Sequence, residues 1–403
     1  MRFEAFIALR YLREGRAQTA LVLGGTTVGV AVLIFLTALI GGLQRTLIAQ
    51  TLSAQAHVLL KAPERVARPL PAPGAVADRV EKVPDRIRSI EQWQQVLRSV
   101  ESMPGVVAAT PTAAGSAFAS RGAATKAVAL RGIDPPSFQR VIEIAPKMVA
   151  GRFALEGTEA IIGTVLASDL GVAVGDKIRL STPEGRGDVF TIAGVFDLGN
   201  KDVNQRWVFV PLRSAQTMLD VPGGVTTIEA KVTEIFEAER LAREIERGHG
   251  LAADSWMSLN QQLLVGLRSQ SASSWMIQVL VVLAVALGIA SVLGVSVIQK
   301  SREIGILKAT GTTTRTVQRI FLLEGAIVGA AGSVLGSILG SAMGLAFANL
   351  ARGPAGAPLF PVDLTPWLYL GASAVAILTG TAAAWFPATR AARLDPAEVI
   401  RYG

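Results

Sequence analysis

Hydrophobicity along this chain comes in long blocks separated by stretches of mixed polarity. Residues 269–299 and 325–351 contain no Asp, Glu, Lys or Arg, and each exceeds the roughly 20 residues that cross a bilayer as helix. Residues 17–46 are uncharged except for Arg45, and 364–389 are uncharged throughout. The pattern predicts four transmembrane helices, at 17–44, 269–299, 315–350 and 365–387. Residues 45–268, between the first and second, are long enough to hold a core of their own. The expected fold class is a membrane protein of four transmembrane α-helices (1+3), with a large two-lobed α/β domain inserted between the first and second helices.

Within 45–268 the period shortens. Strands are predicted at 56–61, 106–110, 127–130, 177–180, 189–195, 207–210, 226–232 and 251–256, separated by Gly- and Asp-containing turns. An amphipathic helix is predicted over 86–102, with Ile87, Ile90, Val96, Leu97 and Val100 as its apolar positions and Pro104-Gly105 beyond its end. A second is predicted over 234–247, stopped by Gly248-His249-Gly250. Two strand–helix–strand units suggest one α/β lobe, 45–111 with 225–268, interrupted by a β-rich insert at 112–224. Residues 62–84 read as a loop, with 69–73 (P-L-P-A-P) as an extended linker or a polyproline ligand.

Charge adds an orientation. The chain carries 39 Lys and Arg against 31 Asp and Glu, a formal net charge of +8. The flanks 1–16, 299–319 and 387–403 hold twelve basic and five acidic residues, whereas 45–268 holds 26 and 24. Basic excess marks cytoplasmic flanks, so both termini and 300–314 are expected in the cytoplasm, with 45–268 and the short loop 351–364 outside it. A nucleic-acid binder would place its basic face on a folded domain, which argues against that class. Residues 1–16 put Phe3, Phe6, Ile7 and Tyr11 on one helical face among Arg2, Arg10, Arg13 and Arg16. An amphipathic helix lying in the interface and a plain topological flank both fit. Ala54-Gln55-Ala56 resembles a signal-peptide cleavage site, but the apolar stretch 20–43 exceeds an h-region of about 7–15 residues, so the first block reads as an uncleaved anchor.

Chemistry-bearing motifs are sparse. The chain has no cysteine, so 45–268 is not a disulfide-stapled module. His57 and His249 have no second ligand at metal spacing. Residues 171–177 (G-V-A-V-G-D-K) lack phosphate-loop spacing, and Asp176 would repel phosphate, so a Gly-Asp turn is expected there. Neither a nucleophile elbow nor a zinc-protease pair occurs. No catalytic residue and no metal ligand is expected.

The third block carries Gly325, Gly329, Gly332, Gly336, Gly340 and Gly344. Small residues at this spacing allow close helix packing in lipid, within the chain or across a homodimer. Glu324, at the edge of that block, is expected to form an interfacial ion pair near Arg319 or to mark the helix start. Residues 300–314 make a short helix with Ile304, Ile306, Leu307 and Ala309 among Arg302, Glu303 and Lys308, and with Gly311 as its stop. Such a helix suits docking into a partner's groove, and a solvated connecting turn fits the same residues.

The run S-R-E-I-G-I-L-K-A-T-G at 301–311, the run R-T-V-Q-R-I-F-L-L-E-G at 315–325 and the Gly-rich block that follows resemble the MacB/FtsX-like (type VII) family of ABC transporter permeases. The tail 386–401, F-P-A-T-R-A-A-R-L-D-P-A-E-V-I-R, resembles that family's C-terminal ending, and the spacing of the apolar blocks resembles its helix arrangement. R-G-I-D-P at 131–135 and W-M-S-L-N at 256–260 look most similar to the lipoprotein-releasing LolC/LolE branch.

The resemblance implies a non-enzymatic permease subunit of the bacterial inner membrane. It would pair with a second copy or a paralogue, and with two copies of a cytoplasmic ABC ATPase that binds ATP and magnesium. This chain would then need no cofactor. It also implies mechanotransmission, in which ATPase closure moves the spans and the periplasmic lobes, with lipoprotein release toward the outer membrane as the outcome. Arg302, Glu303, Ile304, Leu307 and Lys308 are expected at the ATPase contact, the charged residues orienting and the apolar pair buried. The alternatives are a MacB-like efflux permease with a periplasmic adaptor and an FtsX-like regulator of a cell-wall hydrolase. Substrate-contacting residues are not marked in the sequence.

Overall fold

The computed structural model describes residues 2–63, 87–350 and 362–394. The stretch 69–73, the first residue of the helix expected at 86, Arg352 and the tail from Asp395 lie outside the described residues. In chain order, α1 (Arg2–Glu14) and α2 (Arg16–Ser53) precede β1 (Val58–Lys61), α3 (Trp93–Glu101), β2 (Val106–Arg121), β3 (Ala124–Ile133) and α4 (Pro135–Val141). β4 (Met148–Gly151), β5 (Glu159–Gly163), α5 (Thr164–Leu170), β6 (Lys177–Ser181), β7 (Gly187–Phe196), α6 (Lys201–Arg206) and β8 (Trp207–Pro211) follow. Then come α7 (Leu212–Met218), β9 (Thr227–Val232), α8 (Ala238–His249), β10 (Ala252–Ser255) and α9 (Trp256–Leu259). α10 (Gln261–Gln299), α11 (Ser301–Ala309), α12 (Thr314–Leu350) and α13 (Pro366–Ala392) complete the order. The chain forms two units, residues 1–47 with 265–403, and residues 48–264.

In the first unit, α2, α10, α12 and α13 are each long and apolar enough to cross a membrane. Such helices satisfy their own backbone hydrogen bonds, which hydrocarbon requires. The α12 glycines meet other segments of the chain closely. Gly325 faces the Gly380 carbonyl and Ala384 of α13. A Cβ on Gly329 would stand 2.6 Å from the Ala376 carbonyl oxygen and 2.9 Å from Ile377 Cα. Farther along, Gly332 faces Thr26, Gly336 the Thr27 carbonyl and Val30, and Gly340 the Ala31 carbonyl, all on α2, while Gly344 faces Val362. Phe35 and Phe347 meet edge to face at 5.9 Å, and the Ser341 and Tyr369 hydroxyls are 2.7 Å apart.

In the second unit, a ten-stranded mixed sheet runs in the order β10-β1-β9-β2-β3-β8-β5-β7-β4, with β6 bridging β2 and β7. β3–β8 and β5–β7 are parallel, and the other pairs are antiparallel. The sixteen-residue strand β2 holds the sheet together. Val106–Thr112 pair with β9, and Ala113–Arg121 pair with β3. Successive side chains of a strand point to opposite faces, and here both faces are covered. Leu130, Ile162, Val208 and Val210 join the helices α5 and α7 on one side, whereas Ile133, Ile161 and Phe209 join Phe138 of α4 on the other. Near the start of β2, Val58, Leu60, Ile228 and Ala230 pack against Leu241 and Ile245 of α8, with Trp256 fully buried among them.

Several element boundaries differ from the sequence pattern for local reasons. α3 starts at Trp93, so Ile87 and Ile90 are not helical. The Ile90 N–H donates to the Val225 carbonyl at 2.6 Å, which holds that backbone extended, and Gln92 takes a left-handed φ of 53°. The helix expected from 234 begins with a 3-10 turn at Ile235–Glu237 and ends at Gly250, whose φ of 64° only glycine adopts freely. Gly175 turns the chain at φ 93°, and the Asp176 carboxylate accepts from the Ala173 N–H at 2.9 Å, a tight turn rather than a phosphate cradle.

Gly329→Ala should lower the thermal midpoint of the detergent-solubilised chain, by an overpacking cost of about 1–3 kcal/mol. Gly24→Ala, at a helical site with nothing nearby, should raise it slightly. His57 is buried ahead of β1 with Nδ1 3.1 Å from both the Val232 N–H and the Val232 carbonyl oxygen, and burial holds its pKa below the ordinary value, partly offset by the carbonyl, which accepts from the protonated ring. The neutral ring is the folded form, so its contribution is complete above about pH 6.5 and is lost as pH falls below it. Thermal midpoints measured at about pH 7.5 and 5.5 should fall on acidification, and His57→Gln should flatten the dependence.

Candidate functional site

The segment between α10 and α12 is built by local stops. Lys300 breaks the helix between α10 and α11, with φ −99° and ψ 10°. α11 ends on Gly311 at φ 99°: the Thr312 N–H donates to the Leu307 carbonyl and the Gly311 N–H to the Lys308 carbonyl, both at 3.1 Å. This is a Schellman stop, in which glycine accepts the left-handed conformation without a Cβ clash. The Thr313 hydroxyl then accepts from the Thr316 N–H at 3.3 Å, capping α12.

α11 has an inner and an outer face. Ile304 is buried and Leu307 packs beside it, in a cluster with Ile7, Ala8 and Tyr11 of α1, Val317 and Phe321 of α12, and Ala388 and Ala391 of α13. Two lysines pin the ends. Lys308 Nζ donates to the Ala392 carbonyl at 3.0 Å and the Leu394 carbonyl at 2.5 Å, the end of α13. Lys300 Nζ donates to the Tyr11 carbonyl at 3.0 Å and stands 3.8 Å from the Tyr11 ring centroid. Burial lowers the Lys300 pKa, opposed by the carboxylates of Glu324, Glu14 and Glu303. Burial pushes the Tyr11 phenol up to about 12, reinforced by Glu303 and Glu14.

The outer face carries Arg302, Glu303, Ile306, Ala309 and Thr310, all exposed. Of the five residues expected at a partner contact, Arg302 and Glu303 are outside, whereas Ile304, Leu307 and Lys308 hold α11 to its own chain. The expectation that Ile304 and Leu307 form the apolar contact is therefore corrected. They sit three residues apart on the face that covers α1 and α12, and the exposed apolar side chain is Ile306, 51% accessible. The short helix offers two apolar edges, and its sequence carries no signal for which one the neighbouring helices take.

Glu324 is also corrected. It is 3% exposed, and Arg319 lies 4.0 Å from Glu4 instead. Residues five apart on a helix do not share a face. Glu324 Oε2 and Tyr11 Oη are buried without a hydrogen-bond partner among the described residues, and both residues line a cavity of about 20 Å³, room for one water.

Comparison with known proteins places this architecture. Residues 19–247 match the MacB-like periplasmic core domain, and residues 275–396 match the FtsX-like permease C-terminal domain. The chain is 26% identical to the lipoprotein-releasing system transmembrane protein LolC of Neisseria meningitidis serogroup B, over 99% of each chain. It is 25% identical to LolE of Haemophilus influenzae, over 62% of this chain and 65% of that one. The periplasmic region of MacB from Actinobacillus actinomycetemcomitans aligns over 53% of this chain and 95% of that one, at 11% identity and a TM-score of 0.35. With more than half of its residues matched to the periplasmic core domain and its last helices to the permease domain, the chain belongs to the MacB-like and FtsX-like family of ABC transporter permeases.

Proposed function

We propose that this chain is the transmembrane subunit of an inner-membrane ABC transporter and that the outer face of α11 receives a separate cytoplasmic ATPase. The observation that carries the reading is the geometry of α11. Its inner face and both lysines are spent on the chain's own helices, which leaves Arg302, Glu303 and Ile306 presented outward on a braced element. A charged pair around one exposed apolar side chain suits orientation plus burial at a small interface. The basic flanks support a cytoplasmic α11 and cytoplasmic termini. In this reading one span precedes the two-lobed periplasmic domain and three follow it. The subunit pairs with a second copy or a paralogue, and the ATPase subunits hold ATP and magnesium. Closure of the ATPases drives α11, and the spans pass that motion to the periplasmic domain.

Similarity to LolC over the full chain supports lipoprotein release as the process served. A MacB-like efflux role is the second reading. It is favoured by 28% identity, over half of this chain, to the pyoverdine export ATP-binding/permease protein PvdT of Pseudomonas syringae pv. tomato.

Co-expression of the tagged chain with its cognate ATPase tests the contact. Ile306→Asp should abolish co-purification of the ATPase while membrane insertion and the thermal midpoint of the permease stay unchanged. Leu307→Asp should lower that midpoint as well, because it places a charge against the chain's own cluster. A complex retained in Ile306→Asp, with normal permease-stimulated ATP hydrolysis, would overturn the assignment. What co-purifies in addition, lipoprotein or a periplasmic adaptor, separates the two readings.

A further inference from the structure

In the 48–264 unit, an open cavity of about 390 Å³ is lined in part by residues of β3 and β9, the strands that flank β2. Its two charged lining residues are Arg131 of β3 and Glu229 of β9, which form an ion pair with side chains 14% and 3% exposed. The Arg131 guanidinium also stacks 4.2 Å from the centroid of Trp207, whose ring meets Phe209 edge to face. Charges withdrawn this far from water are tolerable when paired. Their pairing leaves the wall with no net charge.

Apart from the Thr51 hydroxyl and Arg131 Nε, a buried donor without a partner among the described residues, the remaining hydrogen-bonding side chains are amides, brought together from separate parts of the chain. Gln50 stands near the end of α2, Gln55 just beyond it, Asn200 before α6 and Asn260 after α9. Two are held in place by the fold. Asn260 Nδ2 donates to Gln55 Oε1 at 2.9 Å and to the Trp256 carbonyl at 2.7 Å, and Asn200 Oδ1 accepts from the Asp202 N–H at 3.0 Å. A side-chain amide offers both donors and an acceptor, the same complement that a peptide group offers. A charged ligand would be desolvated against a wall that has no spare opposite charge. The volume lies in the range of roughly 300–1,000 Å³ that takes a small ligand or a few residues of chain.

We infer that this cavity binds an uncharged, extended segment of polypeptide, the cargo chain itself. The inference rests on the reading of the protein as a permease that serves lipoprotein release. The test uses the full chain in detergent and three fluorescein-labelled octapeptides, read by fluorescence polarisation. One is composed of Ser, Asn, Gly and Ala, and the others have alternate positions replaced by Glu or by Lys.

The neutral peptide should bind, and both charged ones should bind about tenfold more weakly. Gln50→Trp, placed at an exposed rim position, should weaken the neutral peptide about tenfold with an unchanged thermal midpoint, and Gln55→Leu should weaken it similarly. ATPase co-purification should be normal in Gln50→Trp, while Ile306→Asp should retain peptide binding, so failure of either reading shows separately. Absence of neutral-peptide binding, equal binding of all three peptides, or binding unaffected by both substitutions would overturn the inference. Displacement of the peptide by maltotriose at lower concentration than by unlabelled peptide would overturn it in favour of a saccharide site.

Discussion

Where α12 runs past α13 and then α2, main chain lies against main chain, and no side chain larger than hydrogen fits at Gly325, Gly329 and Gly336. Lipid tails are as apolar as leucine, so helices in a membrane gain little from burying hydrophobic surface and depend on close packing instead. That constraint fixes the rest of the helical unit. α12 has no slack on its glycine side, and its N-terminal turns carry Val317, Ile320 and Phe321 into the cluster that seats α11. α11 therefore rests on packed side chains and a close backbone contact rather than on a loose linker.

The lysines at the ends of α11 complete this arrangement. A nine-residue helix is marginal in isolation, so its position comes from tertiary contacts. Lys308 reaches the terminal carbonyls of α13, where a helix leaves acceptors unpaired. Lys300 ties α11 to α1 through the Tyr11 carbonyl and ring. In the 48–264 unit β2 plays the comparable part, pairing with β9 over its first half and with β3 over its second. The Arg131–Glu229 pair joins those two neighbours across it.

Much of this was legible in the residues. Four charge-free blocks mark the four long helices because hydrocarbon excludes charge, and the Gly-x-x-x-Gly spacing marks a close-packing face. Most of the strands were readable from alternation, but β2 was expected to end near 110 and runs to 121. Local pattern is silent on a strand that changes partner midway. The helix expected from 86 failed at Ile87 and Ile90 for a similar reason, since pairing with Val225 overrides their helical spacing.

The segment 300–314 was legible as an element, whereas the direction in which its side chains point was not. The sequence by itself determined that 300–314 is a short amphipathic segment between membrane helices, that it stops at Gly311, and that the flanking blocks 269–299 and 325–351 carry no Asp, Glu, Lys or Arg. These follow from composition, period and the left-handed preference of glycine, all local properties. Only the tertiary structure decided that Ile304, Leu307 and Lys308 turn inward and Ile306 outward. It also decided that Glu324 is buried beside Tyr11 and that Arg131 meets Glu229 from 98 residues away. Which face of a helix is used, and which distant charges pair, depend on neighbours that packing supplies and that local sequence does not encode.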